Sequence, residues 1–535
     1  MKRAVIVIGA IGAMLLAPQV SAHDPARDPA QFGKVTFPTS CNPAVQARFE
    51  AAVAMLHSFF YPETVRSFQA VVEADPQCAM GYWGLAASQR PNPLVPPWPD
   101  DNMKRALDAI EKGKAVAATA RERDWLEAIE AAYKDYDKVP NTTRSERYEE
   151  AMAALAKKYP DDREAAIFYA LALLEAVDHA DKTYRRQLAA GEILEKVERE
   201  QLDHPGLAHY IIHAYDFEPL AERGVPAADK YASLAPAAPH AQHMPSHIYS
   251  MLGRWESSIR SNQKAVVASR DYAAKNFPGT TFAQEPHAQD FMAYAHLQLG
   301  QDREAKRVVD EVAAIHNHSG PRNYGRDTGE VAPAARYVLE RAAWSEAAAL
   351  PVRENAYTYA QAIPRFTRAM AAARLGDPAT AKSETAELKK LAAKAENSYW
   401  AEQIEVLALA ASAWTSRSER QDEEALKLMR GAADLEDSTE KHVAMENRLY
   451  PMREMLGDLL LELGRQGEAL AAYEKSNHAT PNRLRGLYGA AKAAEAARDA
   501  EKARLYFARL AALGAAADPE RAEIAEAKVW LARKG

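Results

Sequence analysis

The sequence predicts an all-α protein, built as a solenoid of stacked helical hairpins. The composition is rich in alanine, glutamate, leucine and arginine, which favour helix, and only 24 of the 535 residues are glycine. No stretch of useful length alternates apolar and polar residues as a half-buried strand does. Helical segments of similar design recur along the chain, and the chain is too long for one compact core. We therefore expect a repeat array.

The N-terminus predicts an export signal over residues 1–22. Lys2 and Arg3 form a charged start, an apolar run covers 5–17, and the small residues at 20–22 fit a cleavage site. We expect an exported protein, periplasmic if the host has an outer membrane.

Charge and hydropathy argue against two classes of partner. The formal net charge of -7 gives no reason to expect nucleic acid or acidic lipid. The apolar run near the N-terminus is shorter than the roughly 18 residues that a membrane helix needs, and no other stretch approaches that length. We predict no nucleic-acid partner and no membrane insertion of the mature form.

The N-terminal part of the mature chain combines an irregular leader over 23–40 with helical repeats over 41–200. One hairpin is predicted over 44–74, and Cys78 opens another. A proline-rich run over 90–99 connects the two helices of that second hairpin. Such a run cannot be helical and is long for a hairpin turn. We expect a rigid surface connection, with coverage of part of a groove as the alternative.

The two cysteines, Cys41 and Cys78, each stand just before a predicted helix. The starts of successive first helices lie side by side in a stack of hairpins, and an even pair in an oxidising compartment favours a disulfide. The alternative is a pair of buried thiols or soft metal ligands.

Four helical segments end in the dipeptide Leu-Gly and are followed, five residues after the glycine, by a small residue. A glycine that ends one helix and a small residue early in the next describe a helix-turn-helix unit. The four dipeptides are Leu252-Gly253, Leu299-Gly300, Leu375-Gly376 and Leu463-Gly464.

The C-terminal part, residues 331–535, shows the repeat most regularly. From Tyr450 onward, Gly457, Ala469, Tyr473 and Pro481 have the spacing of the 34-residue tetratricopeptide (TPR) pattern. The unit that follows repeats this spacing, so the predicted solenoid is TPR-like.

The central part, residues 201–330, is rich in histidine, with an irregular stretch over 320–329. Three segments place histidine, aspartate or tyrosine three, four or seven residues apart, so each set forms one stripe on a helix. The sets are His209, His213 and Asp216; His240, His243 and His247; and His287, Asp290 and Tyr294.

The repeat register predicts where two of these stripes point. With Tyr450 as the first position of a unit, His240, His243 and His247 fall at positions 2, 5 and 9, as does the set that begins at His287. The buried signature positions of a TPR first helix lie roughly opposite. The stripes should therefore line the concave side of the solenoid.

Several strings of the sequence resemble exported bacterial TPR proteins with a histidine-rich central region. They are Cys41-Asn42-Pro43-Ala44, the segment from Cys78 to Gly84, the segment from His204 to Asp216, and the segment from Ala238 to Gly253. The resemblance implies the architecture of residues 41–535 and assigns no reaction.

The converging side chains predict a site for Zn²⁺ or another divalent first-row metal, held as one ion or two. Asp216 is placed to accept the second ring proton of a ligating histidine, and His240 and Tyr294 complete the groove. The isolated His57 and His179 receive no role, and His204 is interpreted as a helix-entry residue. The predicted ligands are His209, His213, His243, His247, His287 and Asp290.

Two other functions remain open at this point. The groove could bind a peptide or protein without metal, as TPR grooves do. A metal-dependent hydrolase or oxidoreductase is less favoured, because no sequence motif of a known catalytic class is present. Histidine stripes can also be structural filling that fixes the curvature of a solenoid.

Overall fold

The computed structural model describes residues 29–534, and the predicted α-solenoid is confirmed there. The N-terminal helices are α1 (Pro43–His57), α2 (Glu63–Ala74), α3 (Ala79–Ala87), α4 (Asp100–Val116), α5 (Ala120–Glu130), α6 (Asn141–Lys158), α7 (Arg163–Glu175) and α8 (Arg185–Glu198). The central helices are α9 (Pro205–Tyr215), α10 (Val225–Leu234), α11 (Pro239–His243), α12 (Pro245–Met251), α13 (Trp255–Asn276), α14 (Glu285–Gln298), α15 (Asp302–Ala313) and α16 (Tyr324–Gly329).

The C-terminal part continues the same architecture, and most helices pack against the next one along the chain. Its helices are α17 (Ala332–Arg341), α18 (Thr358–Arg374), α19 (Pro378–Ala392), α20 (Ser398–Ser418), α21 (Asp422–Ser438), α22 (Met452–Glu462), α23 (Gln466–Ala479), α24 (Leu484–Ala496), α25 (Ala500–Leu513) and α26 (Ala522–Lys534). Short 3₁₀ turns occur at Pro29–Phe32, Ala221–Gly224 and Trp344–Ala349.

Two details differ from the sequence prediction. Strands β1 (Thr281–Phe282) and β2 (His318–Ser319) pair in parallel, a pairing too short to leave an alternating pattern. The stretch 320–329, expected to be irregular, contains α16, because the Asn323 side chain accepts a hydrogen bond from the backbone N–H of Arg326 at 2.9 Å and caps the helix.

The four Leu-Gly dipeptides end helices as predicted. Gly253, Gly300, Gly376 and Gly464 have φ angles of +63°, +68°, +80° and +71°. This left-handed conformation is the usual way to end a helix, and glycine adopts it without a steric penalty. The repeat units therefore turn where the sequence places the glycine.

The leader is irregular between residues 33 and 40, yet it is packed against the first hairpins. Phe37 is fully buried, and its ring lies 5.5 Å from that of Phe49 and 5.0 Å from that of Trp125. The predicted export signal lies outside the described residues. Within the described part of the chain, no helix combines the length and apolar character needed to cross a bilayer.

The chain curls far enough for its C-terminal repeats to contact the central ones. The Trp255 indole N–H donates to the carbonyl of Asn482 at 2.7 Å, and the Leu484 N–H donates to Gln298 Oε1 at 3.0 Å. These contacts join α13 and α14 to the start of α24. The curve is thus closed onto itself.

The space inside the curve is filled by residues 439–451, an irregular and mostly buried segment that we call the central plug. The N–H of Glu440 donates to the carbonyl of His179 at 2.8 Å, and the Lys441 ammonium donates to Asp216 Oδ2 at 2.6 Å. This segment therefore occupies the concave side of the solenoid and leaves a small cavity beside the histidine stripes.

The proline-rich run also differs from its preferred interpretation as a surface connection. Leu94 and Val95 are buried, and Pro91 and Asn92 line the cavity at the centre of the molecule. The run covers the inside of the curve, which was the alternative.

Cys41 and Cys78 form the predicted disulfide, with a Cα–Cα distance of 4.6 Å. Cys78 is the residue before α3, and Cys41 stands two residues before Pro43, the first residue of α1. The bridge therefore fixes the starts of the first helices of two successive hairpins.

Reduction of this disulfide should lower the free energy of unfolding. Opening a bridge between residues 37 positions apart restores about 3–4 kcal/mol of loop-closure entropy to the unfolded chain. Urea unfolding with and without a thiol reductant measures the loss. The Cys41→Ala, Cys78→Ala double variant should unfold at the same urea concentration as the reduced wild-type protein, and reductant should not change its stability. A change with reductant would contradict a stabilising role of the Cys41–Cys78 disulfide.

Candidate metal centre

The first cluster of imidazoles is formed by His209, His213 and His240, which we call the first triad. His209 and His213 are one turn apart on α9, a helix whose residues are all buried. The Nε2 atom of His209 lies 3.1 Å from that of His213 and 3.1 Å from that of His240, in the first turn of α11. One ring nitrogen from each histidine thus points into the same small space.

The second triad consists of His243, His247 and His287. The Nε2 atoms of His243 and His247 are 3.0 Å apart, and the rings of His243 and His287 have centroids 4.6 Å apart. The first two histidines were predicted on one helix, but an interruption at Met244 separates α11 from α12, because Pro245 has no N–H to donate. Helical dihedrals at Met244 preserve the rotation, so the rings still meet.

The other nitrogen of His243 is occupied by an acceptor. His243 Nδ1 lies 2.6 Å from Asn262 Oδ1, and Asn262 Nδ2 donates to the carbonyl of Ser258 at 2.8 Å. The second contact fixes the amide so that its oxygen faces the imidazole. His243 therefore carries its proton on Nδ1 and presents a lone pair on Nε2.

The same argument applies to His247. Its Nδ1 lies 2.9 Å from Asp216 Oδ2, an oxygen that also accepts from the Lys441 ammonium. An oxygen that accepts from an ammonium is the acceptor for the imidazole as well, so the proton of His247 is on Nδ1. Asp216 has the contact predicted for it: it orients a histidine through the ring nitrogen that faces away from the cluster.

In the first triad, His209 is oriented by the backbone. Its Nδ1 lies 2.5 Å from the carbonyl oxygen of His57, which can only accept. His209 Nε2 is therefore also a lone pair, and His213 and His240 point their Nε2 atoms at it.

The distances within the triads match those between ligands of one metal ion. Two Nε2 lone pairs at 3.0 Å, as in His243 and His247, repel each other unless a proton or a cation lies between them. Nitrogens bound to one tetrahedral zinc ion at about 2.05 Å are about 3.3 Å apart. The pair is thus arranged as two ligands of one cation.

Burial keeps these imidazoles neutral. Desolvation lowers the pKa of His243 to about 4, despite the hydrogen bond from its ring to Asn262. Desolvation likewise holds the pKa of the other five histidines well below the usual value of 6.5. All six rings present lone pairs at neutral pH, as metal ligands must.

Both triads line one cavity. Four imidazoles form part of its wall, and its volume accessible to water is about 50 Å³. Phe59 packs edge-on against His209 with centroids 4.5 Å apart, and Phe291 packs against His243 at 4.7 Å. The proline-rich run contributes Pro91 and Asn92 to the wall, and the central plug contributes Val443 and Ala444. Residues near 59–61, 282–284 and 321–325 complete it.

Asp290 and Tyr294, which share repeat positions with His243 and His247, lie in other surroundings. Asp290 Oδ1 accepts from Arg336 Nε at 3.0 Å, and the Tyr294 hydroxyl contacts the Arg483 guanidinium. A buried carboxylate is most stable beside a buried cation. The structure therefore pairs Asp290 with Arg336 and not with the imidazoles, which corrects its prediction as a metal ligand.

A third buried group, which sequence reasoning missed, supports the first triad. His57 Nε2 and His204 Nε2 lie 2.9 and 2.8 Å from the two oxygens of Glu164. Burial opposes ionisation of Glu164, but the two imidazoles outweigh it and lower its pKa to about 2. The carboxylate accepts from both rings, so this group is a hydrogen-bonded support for the His57 carbonyl. Nothing in the sequence links residues so far apart.

Comparison with known proteins adds little beyond the fold. No protein-family model matches the chain, and no curated protein matches it. Among solved structures, the chain is similar to the TPR domain of P58(IPK), with 14% identity, 79% of this chain and 99% of that chain covered, and a TM-score of 0.23.

Two further structures give similar values. A monomeric mutant of IFIT1 with Gppp-AAAA has 11% identity, covering 91% of this chain and 99% of that chain, with a TM-score of 0.35. The APC/C hetero-tetramer Cut9-Hcn1 has 12% identity, covering 91% and 89%, with a TM-score of 0.29. With scores this low, the likenesses carry no functional argument.

Proposed function

We propose that this protein is an exported TPR-like scaffold that binds a divalent first-row transition metal through its central imidazoles. The main support is the geometry of His243 and His247. Their Nε2 atoms are 3.0 Å apart, and the Nδ1–H group of each ring donates to an oxygen whose position is fixed. No proton is left to join the two lone pairs. A metal cation would join them with ordinary ligand spacing.

The chemistry of the donors supports the same proposal. Neutral imidazole is a ligand for Zn²⁺, Cu²⁺, Ni²⁺ and Fe²⁺. A ligating histidine usually donates its other N–H to a carboxylate or a carbonyl, which fixes the ring. His247 has Asp216 in this role, His209 has the His57 carbonyl, and His243 has the amide oxygen of Asn262.

The surroundings favour metal binding over metal-assisted hydrolysis. A hydrolase needs a free general base near the metal. Asp216 shares Oδ2 between His247 and Lys441, and Asp290 pairs with Arg336. Glu285 Oε1 likewise accepts from Arg270 Nε at 2.7 Å, so all three of these carboxylates are engaged.

Export is supported by the charged start and apolar run of the N-terminus, and by the disulfide. A disulfide persists in oxidising compartments such as the bacterial periplasm. We therefore place the metal site in an exported protein, where metal availability differs from that of the cytosol.

Metal content tests the proposal. Protein purified without an affinity tag, stripped and reloaded with Zn²⁺ or Cu²⁺, should retain stoichiometric metal by mass spectrometry. The His243→Gln, His247→Gln double variant should lose the metal of the second triad. His296→Gln is the matched control, because His296 is a buried histidine outside both triads and outside the cavity wall.

The proposal fails if the wild-type protein retains less than one metal ion after loading. It also fails if the double variant retains as much metal as the control. Circular dichroism of each variant shows whether the fold is retained.

A second candidate function, binding of a protein partner, is favoured by a separate cleft of about 980 Å³. Charged residues of both signs and the ring of Tyr399 line it, between the α7–α8 connection and the start of α20. The imidazoles themselves are too deeply buried to meet a peptide. Reversal of Arg185 and Arg186 to glutamate should release a partner bound in the cleft, measured by pull-down; retention would exclude this cleft.

A further inference from the structure

The two triads share one cavity, and their geometry distinguishes two metal ions from one. The donor nitrogens of each triad lie within 4.8 Å of one another, but the six do not form one such group. A single octahedral ion would hold opposite nitrogens about 4.2 Å apart, so all six would group together. The closest rings of different triads, such as His213 and His247, have centroids about 6 Å apart. Two three-coordinate sites therefore face each other.

Each site keeps an open position toward the cavity. Three protein ligands leave a fourth position for a ligand. His213 and His240 of the first triad line the cavity, as do His247 and His287 of the second. The cavity therefore opens onto histidines of both triads.

The donor set and the local charge favour copper. Because Asp290 is paired with Arg336, every donor is a neutral imidazole. Copper has the highest affinity of the first-row divalent metals for such ligands. Two Zn²⁺ ions would bury four positive charges beside the Lys441 ammonium, with Asp216 as the balancing carboxylate. Two Cu⁺ ions bury half that charge, which lowers the desolvation cost.

The cavity selects a small ligand. About 50 Å³ holds a few atoms. Outside the imidazoles the lining is mostly apolar, with Phe59, Phe282 and Val443 beside three amide side chains. Dioxygen is small, neutral and apolar, so it enters such a space with little desolvation cost. We infer that the two triads hold a pair of copper ions that binds dioxygen between them; this rests on the proposed function of metal binding.

The electrons for the binding step come from the two copper ions alone. Each of two Cu⁺ ions gives one electron to dioxygen, which becomes peroxide bound between two Cu²⁺ ions. The O–O bond order falls from two to one, two metal–oxygen bonds form, and the total charge stays at +2. No proton, external reductant or further reactant is needed, and the reverse transfer releases dioxygen.

Anaerobic loading with Cu⁺ followed by titration with dioxygen tests the inference. We expect two copper ions per chain, uptake of one dioxygen per two copper ions, and a new near-ultraviolet charge-transfer band. The His209→Gln, His213→Gln variant and the His243→Gln, His247→Gln variant should each retain one copper and lose the band. His296→Gln should match the wild type in both measurements.

The outcomes separate this inference from the proposed function. Two bound copper ions without dioxygen uptake would overturn the dioxygen centre and leave metal binding intact. One copper per chain, abolished by either double variant, would show a single shared site and overturn the pair. Absence of any bound metal would overturn the proposed function itself. Oxidation of the bound copper that gives no charge-transfer band and releases hydrogen peroxide into solution would overturn dioxygen binding.

Discussion

Replacement of Arg483 by methionine should destabilise the protein by about 3–5 kcal/mol, because it leaves buried carboxylates without their cation. Arg483 is fully buried; its Nη2 lies 2.8 Å from Glu340 Oε1, and its Nε lies 2.7 Å from Glu454 Oε1. The two carboxylates belong to α17 and α22, and Tyr294 of α14 contacts the same guanidinium. One arginine thus joins three helices.

Urea unfolding measures this effect, with Arg465→Met as the control. Arg465 pairs with Glu468 on the surface, and such pairs contribute about 1 kcal/mol or less. Adding Glu340→Gln and Glu454→Gln to Arg483→Met should recover part of the lost stability, because the uncompensated charges are removed. Equal losses for Arg483→Met and Arg465→Met would contradict the argument.

Replacement of Gly253 by alanine should cost about 2–5 kcal/mol, the sum of a strained backbone and a steric overlap. Its φ of +63° disfavours any side chain, and an added Cβ would lie 2.3 Å from the carbonyl oxygen of Pro481. That oxygen belongs to the backbone, in the connection where the C-terminal repeats contact the central ones. The backbone movement that relieves this overlap would weaken the contact between the C-terminal and the central repeats.

Gly376 offers a matched control, because it ends a helix in the same Leu-Gly dipeptide with φ +80°. A Cβ there would have no neighbour within 4 Å. Gly376→Ala should therefore show the backbone cost alone, about 1–2 kcal/mol. If urea unfolding gives both variants the same loss, the contact with Pro481 does not stabilise the fold.

The features that follow from local periodicity could be predicted from the sequence. Helix ends at Gly253 and Gly376 follow from the repeat pattern, and the approach of His209 to His213 and of His243 to His247 follows from spacing on helices. Each depends on residues close together in the chain. For the same reason, the register predicts that the stripes face the inside of the curve, and four of the six imidazoles line the cavity.

The parts that could not be predicted depend on partners distant in the sequence. Asp290 occupies the same repeat position as His243, and the register gives its direction but not the identity of its neighbour, Arg336. Lys441 lies 225 residues after Asp216 and belongs to a segment with no repeat pattern. The sequence thus indicated which side chains point inward, while long-range ion pairs decide which of them remain available to a metal.

The distance along the chain between the histidines and the central plug also has a temporal consequence. A ribosome completes all six imidazoles long before it reaches residues 439–451, which enclose them. During synthesis, the imidazoles therefore first lack both the segment that encloses them and the ammonium beside Asp216. Enclosure of the imidazoles must therefore come late, after residues 439–451 have been synthesised.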